Sequence, residues 1–175
     1  TIYGTGDVVI ANRIRAHKRL PDLPRVGLTL AMLPGFERFT WFGRGPHENY
    51  SDRNTGAAVG RYAAGVDELY VPYILPQEHG NRTDVRWAAL ANAQDKGLLA
   101  VAEPVMEASA SHFTAADLFA AYHTNELEPR EEVILNLDCC QRGLGGASCG
   151  PDTLPQYKIQ PGTFDFTVRL RPFDR

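Results

Sequence analysis

Thr163-Phe164-Asp165-Phe166-Thr167-Val168-Arg169-Leu170-Arg171 alternates apolar and polar side chains from end to end. Successive side chains of an extended chain point to opposite sides of a sheet, so this run predicts a strand with one buried and one exposed face. The same period of two recurs in residues 8–16, 26–32, 85–91 and 133–137. In the run 85–91 the alternation puts Trp87 on the apolar face, and we expect it to belong to the core. The chain is therefore predicted to be mostly β.

Turn signals separate these runs, Pro34-Gly35 and Pro161-Gly162 among them. Many strands without amphipathic helices between them favour stacked antiparallel sheets. One helix of two to three turns is predicted, because Thr114 stands three residues before Asp117 in a start that is similar to a capping box. Residues 51–64 are polar and glycine-bearing, which indicates a long surface connection. We predict one large antiparallel β-sandwich domain over residues 1–175, with one short helix.

The composition argues against several classes of partner. The chain has 175 residues, and 18 basic residues against 21 acidic ones give a net charge of −3. Its sequence has no stripe of Lys and Arg of the kind that nucleic acid or an anionic membrane attracts. No apolar run approaches the roughly 20 residues that span a bilayer. Nucleic acid and membranes are therefore not expected as partners.

The cysteines and the first residue bear on where the chain comes from. Three cysteines, with Cys139 and Cys140 adjacent, form no pattern of a disulfide framework or of a zinc site. Reduced thiols are the better interpretation, and they slightly favour the cytoplasm, although the compartment is left open. The chain begins with Thr1, which suggests a domain excised from a larger protein.

The segment Trp41-Phe42-Gly43-Arg44-Gly45-Pro46-His47-Glu48-Asn49-Tyr50-Ser51-Asp52-Arg53 runs from an apolar strand end into a polar turn. A second such segment is Pro76-Gln77-Glu78-His79-Gly80-Asn81-Arg82. Each contains an adjacent His and Glu, and imidazole and carboxylate together suit a proton shuttle or a metal site if the segments meet. The alternative is that these side chains satisfy buried loop backbone. Tyr50 is expected to be exposed, where its ring could stack on a sugar.

Three arginines of these segments are expected to lock the loops together. They are Arg44, Arg53 and Arg82, and their candidate partners are Glu48, Asp52 and Glu78. A guanidinium binds a carboxylate through two parallel hydrogen bonds, which fixes both side chains. Direct contact with a substrate is the alternative role for these arginines.

A third segment follows these two along the chain, Gly143-Leu144-Gly145-Gly146-Ala147-Ser148-Cys149-Gly150-Pro151. Together they resemble the C-terminal domain of β-galactosidases of glycoside hydrolase family 2, and the resemblance covers roughly residues 1–171. It implies a β super-sandwich of the galactose mutarotase type, as one domain of a larger enzyme. The other domains of the parent enzyme and a β-galactoside are then the expected partners.

The resemblance also places the catalytic glutamates in a barrel domain that this sequence lacks, so it implies no catalytic residue here. In the resembling enzymes the glycine-rich segment reaches the mouth of the active site, where some members place a tryptophan. Cys149 stands roughly at that position, and a smaller acceptor subsite is implied. Asp138, Ser148, Tyr50 and His79 are the other candidate substrate contacts. No cofactor or metal is assigned to this chain, while some relatives of the parent need divalent or alkali cations.

Three functions are compatible with the sequence. The first is a domain of a β-galactosidase that supports and partly lines the active site and is inactive alone. The second is a stand-alone carbohydrate-binding module that uses the loops around Tyr50 and His79. The third is an enzyme like aldose 1-epimerase, with His79 and Glu78 or Glu48 as acid and base.

Overall fold

A computed structural model describes residues 1–146 and 150–174, and these form eight antiparallel strands and one α-helix. The strands are β1 Val8–Arg15, β2 Arg25–Met32, β3 Arg38–Gly45, β4 Ala58–Gly65, β5 Arg82–Ala91, β6 Gly97–Ser111, β7 Val133–Gln141 and β8 Thr163–Phe173. The helix α1 is Ala115–Ala120, and three single 3₁₀ turns are Asp67–Leu69, Thr124–Glu126 and Pro155–Tyr157. The prediction of an antiparallel all-β sandwich with one short helix is confirmed.

The sheet divides along β6, its longest strand. One edge of β6 pairs with β5, whereas the other edge pairs first with β8 and then with β7. The change of neighbour falls between Glu103, the last residue paired with β8, and Glu107, the first paired with β7. Pro104 lies in this interval and has no N–H to donate to a ladder. The strand order is β1-β8-β6-β5-β3-β4, with β7 and then β2 on the second branch.

The two branches share one apolar core. Phe39 and Trp41 of β3 stack at its centre with a ring separation of 5.3 Å. Alternate side chains of β7 and β8 belong to the same core, and Val168 is completely buried. The alternating run at the C-terminal end of the chain thus supplies one wall of the core, as its pattern predicted.

The expected core position of Trp87 is wrong. The register between β5 and β6 shifts between Val85 and Trp87, so strict alternation ends there. Val85 and Ala88 are buried, while Trp87 is half-buried and faces Phe42, which is 36% exposed. The bulge adds residues to one strand and reverses the facing of every residue beyond it.

Two other predictions need correction. Residues 58–65 form the edge strand β4 and not a surface connection, because they pair with β3 along their whole length. The helix α1 has the predicted capping box at Thr114 but spans six residues, which is less than two turns. Leu118 is its single buried side chain, so little packing supports a longer helix. Among the described residues, no helix is long and apolar enough to cross a membrane.

Candidate functional site

The two polar segments found in the sequence meet in space. The Asn49 N–H donates to the Asn81 carbonyl at 2.8 Å, and the Asn81 side-chain amide donates to the Asn49 carbonyl at 3.1 Å. Asn49 Oδ1 also accepts from the backbone N–H and the hydroxyl of Thr83, at 2.8 and 2.6 Å. Residues 46–53 and 76–82, named the paired loops from here on, are therefore fixed against each other by buried hydrogen bonds.

Glu48 links the paired loops to the segment that leads into them. One carboxylate oxygen accepts from Arg53 at 2.6 Å and from the Tyr73 hydroxyl, and the other accepts from the Gly80 N–H at 2.7 Å. Gly80 has a φ of +78°, a conformation that glycine adopts without steric cost. The side chain of Glu48 is mostly buried, so these charge-assisted bonds hold the loops firmly.

Tyr50 is fully buried, contrary to the exposure that we expected. Its hydroxyl donates to Glu78 Oε1 at 3.3 Å, and the guanidinium of Arg53 lies 4.9 Å from the centre of its ring. Burial raises the pKa of Tyr50 well above its ordinary value. The ring is thus covered by the protein itself, because the loop folds back over it.

The two histidines of the predicted constellation are placed differently. His47 is exposed, whereas His79 is 6% exposed and packs edge-on against Tyr70 at a ring distance of 5.0 Å. His79 Nδ1 lies 3.1 Å from the Gln77 carbonyl, and Nε2 is buried without a hydrogen-bond partner among the described residues. Burial lowers the pKa of His79 and so favours the neutral ring. Among the described residues, no hydrogen bond or ion pair joins either histidine to Glu48 or Glu78.

A cluster of three carboxyl groups lies beside the paired loops, with Asp138 buried and Glu78 and Glu107 half-buried. Arg25 donates to Asp138, with the longer of the two bonds at 3.4 Å, and to Glu78 at 3.3 Å. Glu107 lies directly opposite Asp138 in the ladder of β6 and β7 and accepts from the Asn81 amide. Three carboxyl groups therefore share one nearby guanidinium.

Burial controls the protonation of this cluster. It raises the pKa of Glu107 to about 7 and that of Asp138 to about 6, although Arg25 opposes the second shift. Burial also raises the pKa of Glu78. Carboxyl groups that titrate near neutral pH can hold or release a proton there, which is what a general acid or a proton reservoir requires.

Glu107 and Arg25 were not among the residues predicted from the sequence. Glu107 is the one charged residue in the stretch Val105-Met106-Glu107-Ala108-Ser109-Ala110, and a carboxylate within such a mostly apolar stretch is a usable signal for a buried role. Arg25 follows a proline at the start of β2, and nothing in that local sequence distinguishes it from a surface arginine.

The predicted loop arginines use different partners. Arg53 binds Glu48, as described above, but Arg44 binds Asp84 at 2.5 Å and the Ala57 carbonyl at 2.9 Å. Asp84 has a φ of +54°, a conformation that Asp adopts more readily than most residues.

Arg82 is buried, and its described hydrogen bonds go to carbonyl groups. It donates to the Gly80 carbonyl at 2.5 Å and to the Pro46 carbonyl at 3.1 Å. Its guanidinium lies 4.9 Å from the centre of the Trp41 ring. Burial lowers the pKa of Arg82 to about 10, so the side chain is still charged at neutral pH. It ties both paired loops to the aromatic core.

Asp52 connects the paired loops to the glycine-rich segment. Its Oδ2 accepts from the Gly145 N–H at 2.7 Å and from the Thr153 hydroxyl at 3.1 Å, so it holds both ends of that segment. A Cβ on Gly143 would lie 2.7 Å from Asp52 Cγ, which leaves room for glycine alone. Asp52 Oδ1 is buried without a partner among the described residues.

Arg142 provides a second anchor for the same segment. It donates two hydrogen bonds to Asp152, at 2.8 and 2.9 Å, and one to Asp22 at 2.5 Å. The predicted substrate contacts Ser148 and Cys149 lie outside the described residues. Within residues 1–146 and 150–174, no group of three or more His, Cys, Asp or Glu side chains is arranged to hold a metal ion.

Comparison with known proteins gives consistent matches. Residues 1–170 match the protein family described as β-galactosidase small chain. A β-galactosidase of Priestia megaterium (strain DSM 319 / IMG 1521) is 36% identical over 174 residues, which are 98% of this chain and 17% of that protein. A β-galactosidase of Vibrio cholerae serotype O1 (strain ATCC 39541 / Classical Ogawa 395 / O395) is 39% identical over 171 residues, or 97% of this chain and 16% of that protein. The chain spans about one sixth of the length of these relatives.

Proposed function

This chain belongs to the β-galactosidase small-chain family, and from that premise we propose that it is one domain of a β-galactosidase of glycoside hydrolase family 2. The reaction of the whole enzyme is then the hydrolysis of terminal β-D-galactosyl residues. Retaining hydrolysis needs two carboxyl groups about 5–5.5 Å apart, one as nucleophile and one as acid and base. We assign both to another part of the polypeptide, so this chain has a supporting role.

One observation carries the proposal for the site. Asp52, a residue of the paired loops, binds both ends of the glycine-rich segment, and Arg142 fixes its C-terminal end through Asp152. A segment that is anchored on both sides can present its middle in one place relative to a neighbouring domain. We propose that Ser148 and Cys149 line the mouth of the galactoside pocket between these anchors.

Two of the other proposed substrate contacts are buried, and we propose that they act by positioning more exposed side chains. Asp138 and Tyr50 are buried, but each bonds to a partly exposed group, Arg25 in one case and Glu78 in the other. A buried partner restricts the rotamers of an exposed charge and lowers the entropy that it loses on binding. Arg25 and Glu78 are therefore the groups of this cluster that can meet a substrate or a neighbouring domain, and His79 supports the loop beside them.

The other two functions have less support. A histidine acid or base must reach the substrate, and the ring nitrogen of His79 that has no partner is buried. Tyr50 offers no open face for stacking, because the residue is completely buried and Arg53 lies over its ring. An epimerase or a binding module that uses these loops would need them to open. Any divalent or alkali cation that the whole enzyme requires is proposed to bind outside this chain.

A chimaeric enzyme tests the proposal. The segment of the Priestia megaterium β-galactosidase that this chain matches would be replaced by this chain, and hydrolysis of a nitrophenyl β-galactoside would be measured. We expect the chimaera to have at least about tenfold more activity than the same enzyme with the segment deleted, while this chain alone is inactive. A folded chimaera that is no better than the deletion would contradict the proposal.

Variants of that chimaera separate lining from support. Cys149→Trp is expected to change KM for β-galactosides by about threefold or more with a smaller change in kcat, because the aromatic ring alters the binding of substrate. Cys149→Ala serves as the control for loss of the thiol. Cys139→Trp would not be a useful control, because Cys139 packs against the core. Equal kinetics in the chimaera, its Cys149→Trp variant and its Cys149→Ala variant would show that Cys149 does not line the pocket.

A further inference from the structure

A cavity of about 270 Å³ lies beside Tyr70, and no residue of the paired loops is among those that line it. The 3₁₀ turn Asp67–Leu69, the end of β6 and the 3₁₀ turn Thr124–Glu126 surround it. Cavities that bind drug-sized ligands measure roughly 300–1,000 Å³, so this one suits a smaller molecule, about the size of one sugar ring. Neither the family nor the proposed function assigns a ligand to it.

Two aromatic rings form the apolar wall of the cavity. Tyr70 and Phe113 lie 5.6 Å apart with an angle of 53° between their planes, and Leu127 and Pro129 complete that side. The Tyr70 ring also contacts His79, with an angle of 86° between the two ring planes. The C–H face of a pyranose is apolar and exposes no hydroxyl, so it can pack against aromatic rings such as these.

The polar groups of the cavity are hydroxyls and a carboxylate. The hydroxyls of Tyr70 and Thr124 have no hydrogen bond to another described residue, and the side chain of Asp67 is 94% exposed, with Oδ1 3.7 Å from His112 Nε2. His112 is not available, since Nδ1 lies 2.8 Å from the Arg130 carbonyl and Nε2 lies 3.0 Å from Glu37. A hydroxyl both donates and accepts, which matches the hydroxyls of a sugar.

The charged side chains in and around the cavity limit the kind of ligand that it can bind. Asp67 and Glu37 give the neighbourhood a negative charge, and His112 is the one basic side chain among the residues that line the cavity. A phosphate, a carboxylate or a sulfated ligand would be repelled. A neutral polyol with one apolar face satisfies the aromatic wall and the free hydroxyls together. We propose that this cavity binds a single neutral hexopyranose.

The test is a titration of the ¹⁵N-labelled 175-residue chain with D-galactose, D-glucose and choline, followed by backbone amide NMR signals. We expect saturable shifts with at least one of the two sugars at residues 67–70, 111–113 and 124–129, with a Kd on the order of 1–10 mM for so small a ligand. Shifts that remain linear up to about 200 mM, or no shifts, would overturn the proposal. Tighter binding of choline at the same amides would identify a cation site and also overturn it.

Three variants show whether the cavity itself binds. Tyr70→Phe and Thr124→Val each remove one free hydroxyl and should weaken sugar binding about fivefold. Asp67→Asn removes a charge on an exposed side chain with little risk to folding, and should weaken it two- to fivefold. Tyr3→Phe removes the hydroxyl of a residue that does not line the cavity and is the matched control. Unchanged affinity in all three folded variants would contradict the assignment, independently of any result on the chimaera.

Discussion

Glu107 and Asp138 lie directly opposite each other on β6 and β7, and burial holds the pKa of each carboxyl near neutrality. Arg25 binds Asp138 directly and is the nearby cation of the cluster. Acidic groups with a pKa raised on folding bind more protons in the native state than in the unfolded state. The native state is therefore stabilised by protonation of this cluster.

The first prediction is a loss of stability with rising pH. The contribution of Glu107 is complete below its ordinary pKa of 4.5 and disappears as the pH rises through about 7. Asp138 acts in the same direction through about 6, whereas His79 acts in the opposite direction below 6.5. Urea unfolding should thus give a smaller free energy of unfolding at pH 8 than at pH 6.5.

A substitution assigns this effect to its source. Glu107→Gln should make the free energy of unfolding nearly independent of pH between 6.5 and 8, because the titrating group is gone. This holds even if the substitution also changes the stability at any one pH. Glu103→Gln on the same strand is the control, since Glu103 is exposed. The assignment fails if the slope persists in Glu107→Gln or disappears in Glu103→Gln.

The second prediction concerns Gly143. An alanine Cβ would lie 2.7 Å from Asp52 Cγ and 2.9 Å from Tyr157 Cβ, and the well-packed surroundings must move. Gly143→Ala should cost about 1–3 kcal/mol, which lowers Tm by several degrees in a chain of this size. Gly56→Ala is the matched control, because no described atom lies within 4 Å of its Cβ, and it should leave Tm unchanged or slightly raised. Equal Tm values for the two variants would show that Asp52 and Gly143 do not pack as described.

The third prediction concerns Asn49. Asn49→Ala leaves the buried N–H and hydroxyl of Thr83 without their acceptor, and should lower the free energy of unfolding by about 2–4 kcal/mol. Asn12→Ala removes a single, partly exposed bond to the Phe166 carbonyl and should cost about 1 kcal/mol or less. Chemical unfolding of both variants measures the difference. A similar cost for both would mean that the paired loops are not held by Asn49.

The fourth prediction checks the facing of Trp87. Trp41 is 1% exposed and Trp87 is half-buried, so acrylamide should quench the fluorescence of Trp87 far more than that of Trp41. Trp87→Phe should leave a protein whose fluorescence resists the quencher, and Trp41→Phe a protein whose fluorescence is readily quenched. Stronger quenching in Trp87→Phe than in Trp41→Phe would show that Trp87 lies in the core after all.

The sequence was most informative where one rule decides the outcome. Simple alternation found the C-terminal strand β8, whose inward residues Phe166, Val168 and Leu170 are all in the core. It failed at Trp87, because a bulge depends on the neighbouring strand and leaves no mark in a single run. It also missed β4, since Ala58–Gly65 is rich in small residues and becomes a strand through its pairing with β3.

The candidate site shows the same division. The sequence identified the two polar segments, but their partners depend on three-dimensional placement. Arg44 reaches Asp84, 40 residues along the chain, and Glu107 becomes a site residue only because β6 pairs with β7. Long-range pairing of this kind cannot be read from local spacing.

The contact between Asp52 and Gly143 constrains how the chain can be altered. The carboxylate fills the space that a side chain at position 143 would need, and the same carboxylate binds the backbone at Gly145. An exchange at either position alone therefore costs stability, although the two residues lie 91 positions apart in the chain. Anyone who transplants the glycine-rich segment into another protein of this family must therefore carry Asp52 with it. The glycine-rich segment and Asp52 therefore have to be transferred together, although they are far apart in the sequence.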